Sequence, residues 1–522
     1  MPEPEADHIT LRLITIMDNP NGALATVASL NSLPTEILLS IVDLYLESLV
    51  EDSADYDSRQ RQLTKLCRVC PNLRFAIEGC SKYWTTISSA LRKESLMRAY
   101  LTRSVGQDLT IVVLDKHGEG ACDALMRVAA EASHRWSSFS LILSKGGPLV
   151  DDDEMSFERR QLHLSNRLLP GLDHSLLYLE LPRLRDLRVH FGTSPSAFTP
   201  DFFTTWECPG LQRMDLMNIA PKKMPTSLTS FSMSFCNGRD TVSMPLLQRF
   251  LEASTSIEEL SFTFQGEISR RIPMANQVVL ANVRSLRLKV EESSMDAIRS
   301  VLSAFALPGL ESLAIAASFS PGRSRVHLGP MTEVNHWKST ILGLHPSFYN
   351  VTSLSLTLIG LGRQREGILS PLSSRFTQLR HFTLETNLVI MIVGAEGDAP
   401  EWPAWPPLET IRFVECETVD ALWLRDFSTF LGRRGHWEGL GALRIEKCDK
   451  LKRGEALLVI PEGDKLEWAE TRSTPKETFM VEPVPRSIPL NHLSGVEELN
   501  EADFAWTMAD DIDIYVDELE EV

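Results

Sequence analysis

The sequence predicts a mixed α/β chain: a small helical module, then an α/β solenoid of short repeats, then an acidic C-terminal tail. Three observations carry this expectation. A short apolar pattern recurs through the middle of the chain, a helix with apolar residues on nearly all sides precedes it, and the stretch Glu497 to Val522 holds 11 acids and no Lys or Arg. A length of 522 residues fits about three domains at roughly 150 residues each, or a solenoid that grows by adding repeats. With 43% apolar and 23% charged residues the chain can bury a large core, and it is too apolar for a disordered one. The expected divisions are an N-terminal extension (1–29), the helical module (30–90), the repeats (91–460), and a proline-containing linker with the acidic tail (461–522).

The helical module opens at Leu33-Pro34-Thr35-Glu36-Ile37-Leu38. Proline is tolerated in a first helical turn and Glu36 complements the positive end of the helix dipole, so a helix starts near Pro34. Ile37, Leu38, Leu39, Ile41, Val42, Leu44, Tyr45 and Leu46 occupy nearly all its sides, whereas a surface helix shows one stripe. Such a helix either lies deep in a core or is shared between its own core and a partner's groove. After an acidic loop, Leu63, Leu66, Cys67, Cys70, Leu73 and Ile77 form a second stripe at helical spacing, and Trp84 follows.

Farther on, the pattern apolar-x-x-apolar-x-apolar begins at Leu184, Leu211, Leu228, Ile257, Val283, Leu310, Val351, Leu379, Leu408 and Leu440. The steps are 27, 17, 29, 26, 27, 41, 28, 29 and 32 residues. An earlier copy starts at Trp136. Within each copy the last two apolar positions are two apart, which puts them on one face of a strand. Unrelated strands of an α/β sheet would give scattered spacings. Helical stripes fall between copies: Leu246, Leu247, Phe250 and Leu251; Met295, Ile298, Leu302 and Phe305; and Leu422, Asp426 and Phe430 with Phe427. The 17-residue step is too short for a helix, and the 41-residue step leaves an insertion near Pro321 to Trp337.

These repeats, over roughly residues 100 to 455, resemble leucine-rich repeats, whose period is about 20 to 29 residues. The Asn or Cys that closes that family's turn is absent from most copies. The module ahead of them, about Leu30 to Ser88, resembles the F-box: a Leu-Pro-x-Glu-Ile-Leu helix, a second helix around Leu66 to Cys70, and a closing Trp84. Two departures are a longer loop between the helices and Pro71-Asn72 where the family commonly has a basic pair. Together the resemblances imply an F-box followed by a horseshoe solenoid, as in substrate-receptor subunits of Skp/cullin/F-box ubiquitin ligases.

That resemblance implies a non-catalytic, cofactor-free receptor that binds a Skp-type adaptor, through it a cullin, and an unknown protein substrate on the repeats. Carried over by position, Leu33, Pro34, Ile37, Leu38, Ile41, Leu66, Cys70 and Trp84 would face the adaptor or stabilise the box, while Leu39 and Val42 are expected in the core. An alternative is a protein-binding scaffold acting outside ubiquitin transfer, and a third is an unrecognised enzyme. If the repeats stack, the residues between core positions form an open row whose arginines, Arg188, Arg287, Arg412 and Arg444, are the candidate substrate contacts.

Other chemistries find little support. Nucleic-acid binding is not expected, because phosphate contacts need a basic stripe and no Lys/Arg cluster exceeds a doublet such as Lys222-Lys223 or Arg433-Arg434. The most apolar run, Leu388 to Val393, is far short of the ~20 residues of a membrane span. Eight irregularly spaced cysteines point to reduced thiols in the cytoplasm or nucleus. Cys67-x-x-Cys70 has no second pair at zinc spacing, and Gly360-Leu361-Gly362 lacks the third glycine of a dinucleotide loop because Arg365 stands there. Asp151 to Glu154 is expected to be a solvated loop.

Overall fold

A computed structural model of the chain describes residues 30, 33–48, 56–114, 119–143, 178–191, 205–221, 227–236, 244–265, 277–291, 304–318, 348, 350–359, 365–366, 376–386, 389–390, 406, 408–433, 435–460 and 463–469. The N-terminal extension, Asp151 to Glu154, Lys222-Lys223, Met295, Ile298 and Leu302, the Pro321 to Trp337 insertion, Gly360 to Gly362, most of the linker and the acidic tail lie outside them. The chain divides into two compact units: Met1–Trp84 with Arg103–Val105, and Thr85–Thr102 with Gly106–Val522.

The first unit is helical. Its elements are α1 (Thr35–Ser48), α2 (Tyr56–Cys67), α3 (Pro71–Glu78) and a 3-10 turn at Ser81–Trp84. The stripe from Leu63 to Ile77, expected as one helix, is two. Cys70 is extended (φ −158°, ψ 157°) because Pro71 disfavours a helical residue before it, and Pro71 then occupies the first turn of α3. The Cys70 Sγ accepts the Leu73 amide at 3.4 Å, which caps the new helix.

The second unit carries one 14-stranded parallel sheet whose strands follow one another in chain order. They are β1 (Thr86–Ser88), β2 (Leu109–Leu114), β3 (Trp136–Leu143), β4 (Asp186–Phe191), β5 (Arg213–Met217), β6 (Ser230–Cys236), β7 (Glu259–Gln265), β8 (Ser285–Glu291), β9 (Ser312–Ser318), β10 (Ser353–Ile359), β11 (His381–Thr386), β12 (Thr410–Val414), β13 (Ala442–Glu446) and β14 (Leu466–Ala469). β1 and β14 are the two ends of this order, so the sheet is not a closed barrel. Two-residue strands make two further parallel pairs, Val278–Val279 with Phe305–Ala306 and Arg365–Glu366 with Val389–Ile390.

All three apolar positions of each of the ten repeat copies, and of the earlier copy at Trp136, are buried. The reason repeats of different length join one sheet lies at the strand entrance. The carbonyl one residue after the first apolar position accepts two successive amides from the next copy, as when Arg185 takes Gln212 and Arg213 and Gln212 takes Thr229 and Ser230. Glu311 makes the same pair of bonds to Thr352 and Ser353 across the 41-residue step. Insertions are therefore accommodated outside the entrance. Close approach at this corner explains one glycine, Gly309, where a Cβ would stand 2.5 Å from the Ala281 carbonyl oxygen.

Helices pack on the apolar side of the strands. In α6 (Met244–Ala253), Leu247, Phe250 and Leu251 are buried, and Phe250 lies 4.8 Å from Phe231 of β6 between ring centroids. α4 (Glu94–Arg103) and α5 (Glu119–Ala130) precede it, and α7 (Ala421–Arg433), α8 (His436–Gly439) and α9 (Arg453–Val459) follow. The stripe on α7 is rotated from the expected one: Leu424, Phe427 and Leu431 are buried, while Leu422 and Asp426 are exposed. Phe413 of β12 sets that rotation by packing edge-on against Trp423 and Phe427 at 5.2 and 5.6 Å. Phe305 is a strand residue rather than helical, stacked 5.7 Å from Phe262. The described part of the 17-residue step holds no helix.

Candidate functional site

On α1 the helical period separates three faces. Leu38, Val42 and Leu46 recur every four residues and are buried against the rest of the unit. Glu36, Ser40, Asp43 and Glu47 form a polar face, in which Asp43 Oδ1 accepts the Tyr83 hydroxyl at 2.9 Å and Oδ2 the Lys82 ammonium at 2.6 Å. The Lys82 bond, with Tyr83 adding to it, holds the Asp43 carboxyl below its ordinary pKa despite some burial. Burial, and then Asp43 itself, push the Tyr83 hydroxyl up.

Pro34, Ile37, Ile41 and Leu44 line the third face at steps of three, four and three. Pro34 is exposed, Ile37 is 48% and Leu44 67% exposed, and Ile41 is half-buried. An apolar row left outside its own core is the arrangement a helix uses to enter a partner's groove. Phe75 of α3, 78% exposed, and Val69, 55% exposed, are further outward apolar side chains of this unit.

The residues carried over by resemblance thus separate into two sets. Pro34 and Ile37 point outward, and Leu33, Ile41, Leu66 and Cys70 are half-buried. Leu38 and Trp84 belong to the core, where the Trp84 Nε1 donates to the Ile77 carbonyl at 3.1 Å and the Arg103 guanidinium lies 4.6 Å over its ring. Val42 is in the core as expected, and Leu39 is half-buried. Leu44, Val69 and Phe75 were missed as outward residues. Their signal was phase: Phe75 lies off the 73, 76, 77 stripe of α3, and Leu44 lies seven residues after Ile37, two turns on along the same side of α1.

On the sheet, the residues between the core positions run from Arg188 on β4 to Arg444 on β13 as one row, each paired in register with its neighbour. Apart from Arg287, its middle is small: Ser232, Ser261, Ala314, Ser355 and Thr383. Three of its four arginines are already engaged. Arg188 Nε meets Asp215 Oδ2 at 3.1 Å, Arg412 grips Glu446 with two bonds of 2.8 and 2.6 Å, and Arg444 Nε lies 2.5 Å from Glu467. Arg287 is exposed and has no ion pair among the described residues. The charge of these candidate substrate contacts is therefore largely neutralised by cross-strand carboxylates. Burial would raise the Asp215 pKa, but the His190 ring at 3.0 Å, Arg188 and Ser232 hold it below the ordinary value.

The cysteines have strand-end roles. Cys236, Cys416 and Cys448 each stand three residues after the last apolar position of a copy, the place of the turn-closing residue in leucine-rich repeats. Cys416 Sγ donates to the Leu384 carbonyl of the preceding strand at 3.3 Å, and Cys448 Sγ points to that of Phe413 at 3.9 Å. The neighbouring Cys448 and burial push the Cys416 thiol up. Burial pushes the Cys67 thiol up to about 11, which suits a packed thiol rather than a nucleophile. Among the described residues no three His, Cys, Asp or Glu side chains are grouped to hold a metal ion, and no helix is long and apolar enough to cross a membrane.

No known protein-family model matches this chain, and no curated protein is found to be similar to it.

Proposed function

We propose that the chain is the substrate-recognition subunit of a Skp/cullin/F-box ubiquitin ligase. The helical unit is an F-box that tethers the protein to a Skp-type adaptor and hence a cullin, and the parallel sheet is a leucine-rich-repeat horseshoe that selects a protein target. The observation that carries this reading is the outward apolar row of α1, Pro34, Ile37, Ile41 and Leu44, on a helix whose opposite side already fills its own core. The chain itself supplies no reacting group. A lysine of the held target meets the charged ubiquitin carrier at high effective concentration, so rate comes from proximity. The target sits on or beside the open row, which presents small side chains and paired charges instead of a basic trough.

Co-purification tests this reading. The wild-type chain is expected to recover a Skp-type adaptor and a cullin, and Leu33→Ala with Pro34→Ala, or Ile37→Asp with Leu44→Asp, to lose both. Each outward aliphatic buried in a groove contributes roughly 1.5 to 3 kcal/mol, so two charged replacements abolish capture. Recovery of adaptor without cullin or ubiquitin transfer would assign the chain to the scaffold reading. Unchanged adaptor recovery by both double variants would remove the F-box assignment.

A further inference from the structure

The sheet ends differently from the way it continues. Leu466 and Trp468 of β14 stand in register with Leu443 and Ile445 of β13, on the core side. Leu443 and Ile445 are 0% exposed, whereas Leu466 and Trp468 are only half-buried. β14 pairs with β13 on one side, and among the described residues no strand pairs with its other edge. The helix before it, α9, exposes Leu457 and Leu458 at 45% and 86%. An open strand edge beside half-exposed core residues is an aggregation hazard, and repeat arrays need a terminal cap.

We propose that Phe504 to Met508 of the same chain covers this edge as a fifteenth, parallel strand. The chain continues from Glu470 to Val522 directly after β14, so the segment is tethered to the edge it would cover. Phe504, Trp506 and Met508 alternate with Ala505 and Thr507, the period of a strand with one apolar face. In parallel pairing that face continues the core row past Leu466 and Trp468. The uncharged Ala505 and Thr507 fall on the side of Glu467.

A second alternating stretch, Ile512, Ile514 and Val516, fits less well, because Asp513 would then stand beside Glu467. The 34 residues from Glu470 to Asp503 exceed the dozen or so a parallel crossover needs. Charge supports the same direction. A parallel strand would bring Asp510 and Asp511 to the end of the sheet where β13 leads into Lys450, Lys452 and Arg453. These three side chains are exposed and without ion pairs among the described residues. The inference is independent of adaptor binding.

Hydrogen exchange by mass spectrometry on the full-length chain tests it. Peptides spanning 463–469 and 500–510 are expected to be protected together, and Trp506→Asp to speed exchange in both by about tenfold or more. Ile514→Asp is expected to leave both protected. Free exchange of 500–510 in the wild type, or protection of β14 unchanged by Trp506→Asp, would overturn the proposal. So would loss of protection in Ile514→Asp alone. A dimer whose dilution deprotects β14 would assign the edge to a second copy and also overturn it.

Discussion

The helical unit and the parallel sheet use apolar residues in opposite ways. In the sheet, every apolar position of the repeat pattern is buried, in copies separated by as few as 17 and as many as 41 residues. In α1, apolar residues of the same kind are divided, with Leu38, Val42 and Leu46 inside and Pro34, Ile37 and Leu44 outside. A repeat can match its apolar content to the space between neighbouring rungs because each rung is added to the last. A small three-helix unit does not grow by such addition, and apolar surface beyond what its core can take stays outside that core. Surplus rather than pattern marks the outward face of α1.

The largest expected effect lies in the sheet. Leu313 is 0% exposed and flanked in register by Leu286 and Leu354. Leu313→Asp buries a carboxylate without a partner and forfeits the packing of a full side chain, a loss of about 4 kcal/mol or more. It should remove the parallel-sheet circular dichroism signal over more than one repeat. A wild-type melting curve would break the comparison at its firmer side.

Next come paired truncations on α1. Leu38→Ala should destabilise the helical unit by about 2 to 5 kcal/mol, and Leu44→Ala by less than about 0.5, as judged by denaturant midpoints. Equal costs would mean that the outward row is part of the core. Asp215→Asn should cost about 1 to 2 kcal/mol at neutral pH, since it breaks charged bonds to Arg188 and His190. The Asp215 pKa is lowered by folding, so its contribution is present above the unfolded carboxyl pKa and is lost as pH falls through the folded one. The variant should therefore lose less stability than the wild type between neutral and strongly acidic pH. A small effect is also expected from Asp43→Asn on the exposed side of α1. Its ion pair with Lys82 is over a third exposed on both sides, so the change should stay within about 1 kcal/mol.

Much of the sheet was legible because strand spacing is a local property that repetition amplifies. Ten copies gave strand identity, the core face and the open row, and each junction obeys the same bifurcated entrance. Charge pairing within the row was harder to read. Arg412 and Glu446 are 34 residues apart and meet only because β12 and β13 are neighbours in register. The break at Cys70 was written in Pro71, but an unbroken apolar stripe across it concealed the boundary. Rotation of α7 could not be read from its own residues, since Phe413 on another element decides it. Cys236, Cys416 and Cys448 were visible as isolated residues, and only alignment to the repeat shows that the three share one position.

Under the proposed function, adaptor docking and core formation occupy different faces of α1. Hydrogen exchange of the full-length chain, with and without a Skp-type adaptor, measures this directly. Adaptor binding is predicted to slow exchange in residues 33–48 and leave the strands 186–469 unchanged. Protection confined to the strands, or none anywhere at saturating adaptor, would contradict it.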